Sequence, residues 1–305
     1  MGPNLYNKPL HWFAVFSACL TVVLVTAGAL VTSNDAGLSI PDWPLAYNSL
    51  VPPFVGGIRF EFTHRVIAAC EIAISLIFAV WLWRAEPRKK VRNFGWIAVG
   101  AVIGQAILGG MTVIFRQPVW ISVSHATLAQ LFFCAMVSLA LFTSKWWWQD
   151  VSVMEDTRSP RVRTLAAFTA VATLLQLVLG AEFRHKGLGI GPHLVGAAVV
   201  TGMIFWTAGA IRRRFPNSAA LTRCRIVLHA LIGTQLLLGA GAWWSRISTQ
   251  TAPQPMPVMI GFTVAHVVVG ALTLAGTVGV ALVTNRLLRH ERLTAVSASH
   301  AQEAI

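Results

Sequence analysis

The chain has 305 residues, of which 55% are hydrophobic and only 11% are charged. Soluble domains keep about a quarter of their residues charged, so this composition excludes a soluble fold and indicates a membrane protein. The net charge of +13 would suit nucleic-acid binding only if the basic residues formed one patch. Four widely spaced cysteines form no CxxC pair, which argues against a disulfide framework or a zinc site. They are Cys19, Cys70, Cys134 and Cys224.

A membrane-spanning helix needs about 20 mostly apolar residues. Eight intervals meet this need, so the sequence predicts an all-α integral membrane protein. The predicted spans are Trp12–Ser33, Thr63–Trp83, Phe94–Phe115, Val119–Thr143, Thr164–Ala181, Ile190–Ile211, Ile226–Trp244 and Val258–Asn285. The first span contains Ala27-Gly28-Ala29, which resembles a signal-peptidase site, but its apolar run is too long for a cleaved signal sequence.

The basic residues are distributed unevenly between the two sides of the membrane. With both termini on one side, 18 of the 24 lysines and arginines fall on that side and 6 on the other. The positive-inside rule therefore predicts cytoplasmic termini. The basic excess is explained by topology, and no nucleic-acid partner is expected.

A two-helix unit occurs four times along the chain. Three odd-numbered spans end in a Gln-x-x-x-Gly pattern, and each even-numbered span carries one histidine near its outer start. The patterns begin at Gln105, Gln176 and Gln235, with a weaker version around Gly28, and the histidines are His64, His125, His193 and His266. We expect two pseudo-symmetric four-helix bundles, residues 1–150 and 151–305, related by an axis along the membrane normal.

Four histidines at equal depth in a membrane indicate a functional site. Two imidazoles from facing helices are typical of bis-histidine haem ligation, and we pair His64 with His125 and His193 with His266. Glycines allow a macrocycle to approach the backbone, and the candidates are Gly109, Gly180, Gly239 and Gly270. The three glutamines are expected to face inward, where hydrogen bonding between helices is their simplest role.

One acidic residue distinguishes the two halves. Glu61 stands three residues before His64 and shares its helix face, whereas no acid stands three before the other histidines. This asymmetry predicts a reactive haem site in the first half and an electron-carrying site in the second. Glu71 lies deeper on the same face, where it either relays protons or forms a hydrogen bond within the bundle.

Several basic residues are candidates for contacts with haem propionates. Arg184, His185 and Lys186 fall in one outer loop, which is equally well explained as solvated, and Arg65 follows His64. The remaining histidines are assigned to structural or solvated positions, and these are His11, His229, His290 and His300.

These features together resemble the heme A synthase family, membrane enzymes that convert heme O to heme A for cytochrome oxidase. The resemblance covers the eight spans, the first outer loop from Thr32 to Pro44, the Glu-x-x-His-Arg sequence at 61–65 and one histidine in each even span. Some family members carry a cysteine pair in the first outer loop, and this chain has none between Asn34 and Phe60. A mechanism that needs a redox disulfide there does not apply.

The resemblance implies specific roles. Glu61 is the catalytic acid, His64 and His125 bind the substrate haem, and His193 and His266 ligate a permanent haem b. The implied reaction oxidises a porphyrin methyl to a formyl group by successive hydroxylations with water as oxygen source. Heme O synthase and cytochrome oxidase assembly factors are the implied partners, with an electron acceptor that the sequence does not identify. The location is the inner or plasma membrane, with the haem sites near the outer face.

Two other functions are compatible with parts of this pattern. A di-haem b-type electron carrier or quinol oxidoreductase would use the same histidines, but it has no need for a carboxylate beside only one pair. A transporter with parallel repeats would be expected to show broken helices or midplane charges, and apart from Glu71 these are missing from the sequence.

Overall fold

The structure is a computed structural model that describes residues 6–289. Residues 1–5 and 290–305, among them His290 and His300, lie outside this description. Eight long helices are apolar enough to cross a membrane, and they are α1 (Lys8–Ser33), α2 (Ile58–Ala85), α3 (Lys89–Ile114), α4 (Val119–Thr143), α6 (Val162–Arg184), α7 (Ile190–Arg214), α8 (Ala219–Ser248) and α9 (Pro257–Leu287). The shorter elements are α5 (Lys145–Trp148) and two strands, β1 (Met154–Glu155) and β2 (Leu288–Arg289), which pair in parallel.

All eight predicted spans are confirmed, and most of the helices extend beyond the predicted limits. The largest extension is in α8, which begins at Ala219 rather than Ile226. The apolar run stops at Arg223 and Arg225, but arginine is a good helix former and its long side chain can reach the membrane surface. Ser218 caps this helix by accepting a hydrogen bond from the Leu221 backbone N–H.

The helices form two four-helix groups that touch along one side. In the first group α1 and α3 each contact α2 and α4, and in the second α6 and α8 each contact α7 and α9. Between the groups, α9 contacts α1 and α4, and α4 contacts α6. Apolar side chains fill this interface, including Phe133 on α4 and Leu274 on α9. An internal symmetry between the halves stays a prediction.

The two ends of each bundle are packed differently. We call the end that carries the four histidines the histidine end, and the opposite end, which carries the arginine clusters, the basic end. The large clusters of buried apolar side chains lie toward the basic end. In the histidine helices α4 and α7 they begin at Phe132 and Val200, two helical turns beyond His125 and His193. The histidine end is therefore where a flat apolar group finds room.

A linker of residues 144–161 joins the two halves at the basic end. Its strand β1 pairs with β2, and Asp156 accepts hydrogen bonds from the Val162 backbone N–H and the Arg214 guanidinium. Arg286 of α9 stacks against the rings of Trp146 and Trp147 and donates to the Trp146 carbonyl. The domain boundary that we predict between residues 150 and 151 falls within this linker.

Candidate functional site

Each of the four histidines packs against a glycine of the preceding long helix. In every pair the histidine Cε1 is the atom nearest to the position that a glycine side chain would occupy. The pairs and distances are Gly28 with His64 (3.1 Å), Gly109 with His125 (3.0 Å), Gly180 with His193 (2.9 Å) and Gly239 with His266 (3.0 Å). Ordinary carbon contacts are about 3.5–4.0 Å, so a side chain at any of these positions would push the imidazole away.

The expected role of the four glycines, to let a macrocycle approach the backbone, stays a prediction, and their surroundings differ. Gly109, Gly180 and Gly239 do lie against histidines, but Gly270 instead faces the Gln235 amide and Leu177. Gly270 lies on a histidine helix itself, one turn beyond His266, and not on the preceding helix. Gly28 of α1 lies against the remaining histidine, His64. The weak version of the repeat in the first span is therefore equivalent to the three Gln-x-x-x-Gly patterns.

The three glutamines of the repeat contact histidines. Gln176 Nε2 donates to His193 Nδ1 over 3.0 Å and to the His193 carbonyl over 2.9 Å. Gln105 and Gln235 place Nε2 at 3.4 Å from Nε2 of His125 and His266. These bonds connect neighbouring helices, as predicted, and they also orient the imidazoles. The equivalent position in α1, four residues before Gly28, is the apolar Leu24.

The second histidine pair fits a bis-histidine metal site. The rings of His193 and His266 have centroids 6.2 Å apart and are nearly perpendicular, at 83°. Two bonds of about 2 Å from imidazole nitrogens to one metal account for about 4 Å, and the two ring radii account for the remainder. His266 Nδ1 is buried with no hydrogen-bond partner among the described residues. The donor set and the spacing therefore suit a haem iron held between α7 and α9.

The first histidine pair lies between α2 and α4, in the first half of the chain. His64 on α2 and His125 on α4 are close enough to interact electrostatically. His125 Nδ1 donates to the Gln105 carbonyl over 3.2 Å, which is the bond that typically orients a metal-ligating imidazole. His64 Nδ1 is buried and has no hydrogen-bond partner in the described part of the chain. The Nδ1 atom of His125 is thus fixed by a hydrogen bond, whereas the Nδ1 atom of His64 is not.

Glu61 lies in the first turn of α2 and is only 4% exposed. Its Oε1 forms a 2.6 Å ion pair with Arg65, and its Oε2 accepts a 2.9 Å hydrogen bond from the Ile40 backbone N–H. Arg65 also donates to the carbonyls of Asp42 and Leu45. The predicted contact of Arg65 with a haem propionate would have to compete with these bonds.

The first loop, residues 34–57, folds over the histidine end of the first half. Trp43 packs its indole against Gly110 of α3. The Asp42 carboxylate accepts hydrogen bonds from the backbone N–H groups of Tyr47 (2.7 Å) and Asn48 (2.8 Å), and these bonds lower the pKa of Asp42. Asp42 is thus a turn residue, as we predict from the sequence. Together with Arg65 it fixes the loop above Glu61.

The three basic candidates predicted in one outer loop are separated by the structure, because Arg184 is the last residue of α6 and only His185 and Lys186 follow the helix. Arg184 donates to the Ala29 carbonyl (2.9 Å) and Ser33 Oγ (2.8 Å) of α1, while its other terminal nitrogen, Nη1, is buried without a hydrogen-bond partner among residues 6–289. His185 is half-buried, interacts electrostatically with His125, and has its pKa lowered to about 4 by burial and by Arg184. Lys186 is exposed. Their role toward a haem stays a prediction.

The sequence assigned no site role to Trp43 and indicated Gly28 only as the weaker version of the repeat. Trp43 gives no periodic signal, because it lies in a loop, and its contact with Gly110 depends on the path of that loop. Gly28 was detectable only by aligning α1 with the other units at a spacing of four residues from Leu24, where the expected glutamine is absent.

The sequence of the chain is similar to those of several known proteins. The COX15-CtaA family model, described as cytochrome oxidase assembly protein, matches residues 11–56 and 53–137, the half that contains Glu61, His64 and His125. Three relatives are each called heme A synthase. The protein from Lysinibacillus sphaericus is 30% identical over 139 residues, 45% of either chain. That from Symbiobacterium thermophilum is 27% identical over 264 residues, 76% of this chain and 85% of the relative. That from an Exiguobacterium species is 28% identical over 190 residues, 59% of this chain and 60% of the relative.

The matches differ in how much of each protein they cover. The chain aligns with less than half of the Lysinibacillus protein, whereas the Symbiobacterium alignment runs through both halves. Together with the matched family model, these alignments show that the chain is similar to heme A synthases and, over residues 11–137, to cytochrome oxidase assembly proteins.

Proposed function

We propose that the protein is a heme A synthase that oxidises a ring methyl of heme O to a formyl group by successive hydroxylations, in support of cytochrome oxidase assembly. Similarity to proteins called heme A synthase supports this activity. The observation that carries it is the pair of similarly built histidine sites, of which only one has a carboxylate, Glu61, within a helical turn.

In this proposal the two histidine pairs have different tasks. His64 and His125 bind the substrate haem, and His193 and His266 hold a resident haem b. When bound, haem b supplies one-electron transfer at the second pair. The glycines opposite the histidines keep the helix backbone close to each imidazole, and Gln176 and Gln235 orient the second pair.

Glu61 handles the water and its proton. In each hydroxylation a water oxygen bonds to the methyl carbon, a C–H bond is lost, and two protons and two electrons are released. The electrons pass to an acceptor outside the chain, while a carboxylate near His64 positions the water and accepts a proton. The ion pair with Arg65 and the bond from Ile40 hold Glu61 in place under the first loop.

The surroundings of the first pair suit an apolar substrate. A cavity of about 200 Å³ is lined by Ala27 and Leu30 of α1, Phe60 and Thr63 of α2, and Phe54 and Arg59. Ala27 and Thr63 are the chain neighbours of Gly28 and His64. We propose that this cavity receives part of the substrate from the membrane.

We also propose the location and partners. The chain is a multi-pass protein of the cell membrane, with its basic end and termini in the cytoplasm and its histidine end facing outward, as the arginine distribution supports. Heme O synthase is the expected source of substrate, and cytochrome oxidase assembly factors are the expected recipients of the product.

Product analysis tests this function. The chain is expressed with a source of heme O, and the extracted pigments are identified by mass. Hydroxylated and formyl haems are the expected products. A b-type spectrum without either product would instead favour a di-haem electron carrier. A purified protein without a Soret band would exclude both haem functions and leave the transporter alternative.

The first prediction concerns Glu61. Glu61→Gln is expected to retain bound haem but lose heme A formation, because the amide cannot accept a proton. The control is Asp42→Ala, which loosens the same loop but leaves the carboxylate. Equal losses in both variants would assign Glu61 to holding the loop, and full activity of Glu61→Gln would exclude its role.

A further inference from the structure

A second acid, Glu71, lies in the interior of the first bundle. Its side chain is fully buried, at 0% exposure. Glu71 Oε1 accepts a 2.9 Å hydrogen bond from the Thr21 hydroxyl of α1. Its Oε2 has no hydrogen-bond partner among the described residues, and neither has Ser75 Oγ, which lies one turn further along α2.

The Thr21–Glu71 contact lies directly below the first histidine. Thr21 is seven residues before Gly28, and Glu71 is seven residues after His64, so the same two helices meet again two turns deeper. At 1.5 Å per residue this is about 10 Å toward the basic end. Gln130 of α4, five residues beyond His125, lies at an intermediate depth, and its buried Oε1 also has no partner in the described chain.

Within the described part of the chain, no cation forms an ion pair with Glu71. The ion pairs within residues 6–289 involve other acids. The helices packed against α2 are α1 and α3, and their charged or titratable nitrogen groups, such as Lys8, His11 and Arg92, lie at the basic end. An uncompensated carboxylate inside a membrane bundle is costly, whereas a neutral carboxylic acid is tolerated.

This acid is specific to the first half. The residue seven positions after the histidine is Phe132 in α4, Val200 in α7 and Thr273 in α9. Of the four equivalent positions, only the one in α2 therefore carries a carboxyl group. The other three histidine helices pack without an acid at this depth, so packing alone does not explain Glu71.

We propose that Glu71 is held as a neutral carboxylic acid and relays protons released at the first histidine pair toward the basic end. The proposal rests on the proposed function. Glu71 gives its carboxyl proton to an acceptor on the side of Ser75, and the carboxylate then takes up a proton that arrives past Gln130. No electron moves and no bond to carbon changes in this step. Thr21 positions the carboxyl group.

Chemical labelling tests the neutral state. Dicyclohexylcarbodiimide reacts with protonated carboxyl groups in apolar surroundings. Trypsin cleavage at Arg59, Arg65 and Arg84 places Glu61 and Glu71 in adjacent peptides, each with a single acid. We expect an adduct on the peptide 66–84 that is absent in Glu71→Gln, and little adduct on the ion-paired Glu61. An unlabelled 66–84 peptide in the native protein would overturn the proposal.

Turnover tests the relay. Glu71→Gln keeps the shape of the side chain but cannot release a proton, so heme A formation should fall about tenfold or more. Haem content and thermal stability should stay unchanged, and Glu71→Asp should restore part of the rate. The matched control is Thr169→Val, which removes a buried hydroxyl from α6. An unchanged rate in Glu71→Gln overturns the relay, whereas absence of product in the unmodified protein overturns the proposed function itself.

Discussion

At the scale of single residues, the four glycine–histidine contacts define the site. Glycine is the only residue whose lack of a Cβ allows an imidazole to lie this close to a helix backbone. A second group, the glutamine one turn earlier on the glycine helix, orients three of the four imidazoles. His64 has the glycine but faces Leu24 in place of the glutamine. Of the four, it is therefore the imidazole without a glutamine side chain to orient it.

The glycine contacts give a direct prediction. Gly180→Ala would place a methyl group 2.9 Å from His193 Cε1, so the imidazole has to move and haem content in the second half should fall severalfold. The measurement is the haem-to-protein ratio from the absorption spectrum. Gly202→Ala on α7 is the control, because nothing lies within 4 Å of the added carbon. Equal haem content in the two variants would contradict the proposed geometry.

The residues of the site were predictable to different extents. The histidines and Glu61 follow from a repeat and a spacing of three, which the sequence contains in full. The partner of Glu61 in the loop, the Ile40 backbone N–H, does not, because a backbone group carries no sequence signal. The choice of Gly28 over Gly270 required knowledge of which helix faces each histidine.

At the scale of elements, the first loop behaves as an attached cover over the first bundle. Arg65 reaches from α2 to three carbonyls of the loop, and Glu61 binds a fourth backbone group. Hydrogen bonds from a charged donor contribute about 1.5–3 kcal/mol each. Arg65 thereby adds three hydrogen bonds to the contacts that Glu61 and Trp43 make between the helices and the loop.

Limited proteolysis tests this attachment. Arg65→Ala should speed chymotrypsin cleavage at the aromatic residues of the loop, such as Trp43 and Tyr47, because the carbonyl bonds are lost. Arg59→Ala is the matched control on the same helix, since Arg59 stacks on its neighbour Phe60 and has no hydrogen bond to the loop among the described residues. The same cleavage rate in both variants would contradict the role of Arg65.

Helices were easier to predict than their ends. The apolar runs indicate where each helix crosses the membrane, because burial in lipid requires them. The ends lie in the interface, where arginine and serine are tolerated and capping decides the last turn, as Ser218 does in α8. The two-residue strand β1 has no pattern of its own, and its pairing with β2 depends on the distant end of α9.

At the scale of the whole molecule, the two halves are joined at both ends. Arg184 connects α6 to α1 at the histidine end, and the linker with Arg286 and the paired strands connects the halves at the basic end. Apolar side chains of α4 and α9 fill the space between. The sequence predicts two halves, but their shared face consists of ordinary apolar residues, so no motif identifies it.

The Arg184 connection can be measured in haem-free protein, which separates it from any contact with haem. Arg184→Ala removes both bonds to α1. At about 1.5–3 kcal/mol for each bond from a charged donor, the free energy of unfolding should fall by about 3–6 kcal/mol, observed as a lower midpoint of thermal unfolding in detergent. Ser33→Ala removes one of the two bonds and should have a smaller effect. An unchanged midpoint in Arg184→Ala would show that the connection does not stabilise the pair of halves.

The unequal packing of the two bundle ends has a consequence for assembly. The apolar clusters near the basic end can close before any cofactor is present, because none of their members belongs to the histidine sites. We therefore expect the basic end of each bundle to pack in the membrane independently of the histidine end. If the proposed haems bind, their loading would then reshape the surroundings of the four imidazoles and leave the apolar clusters intact.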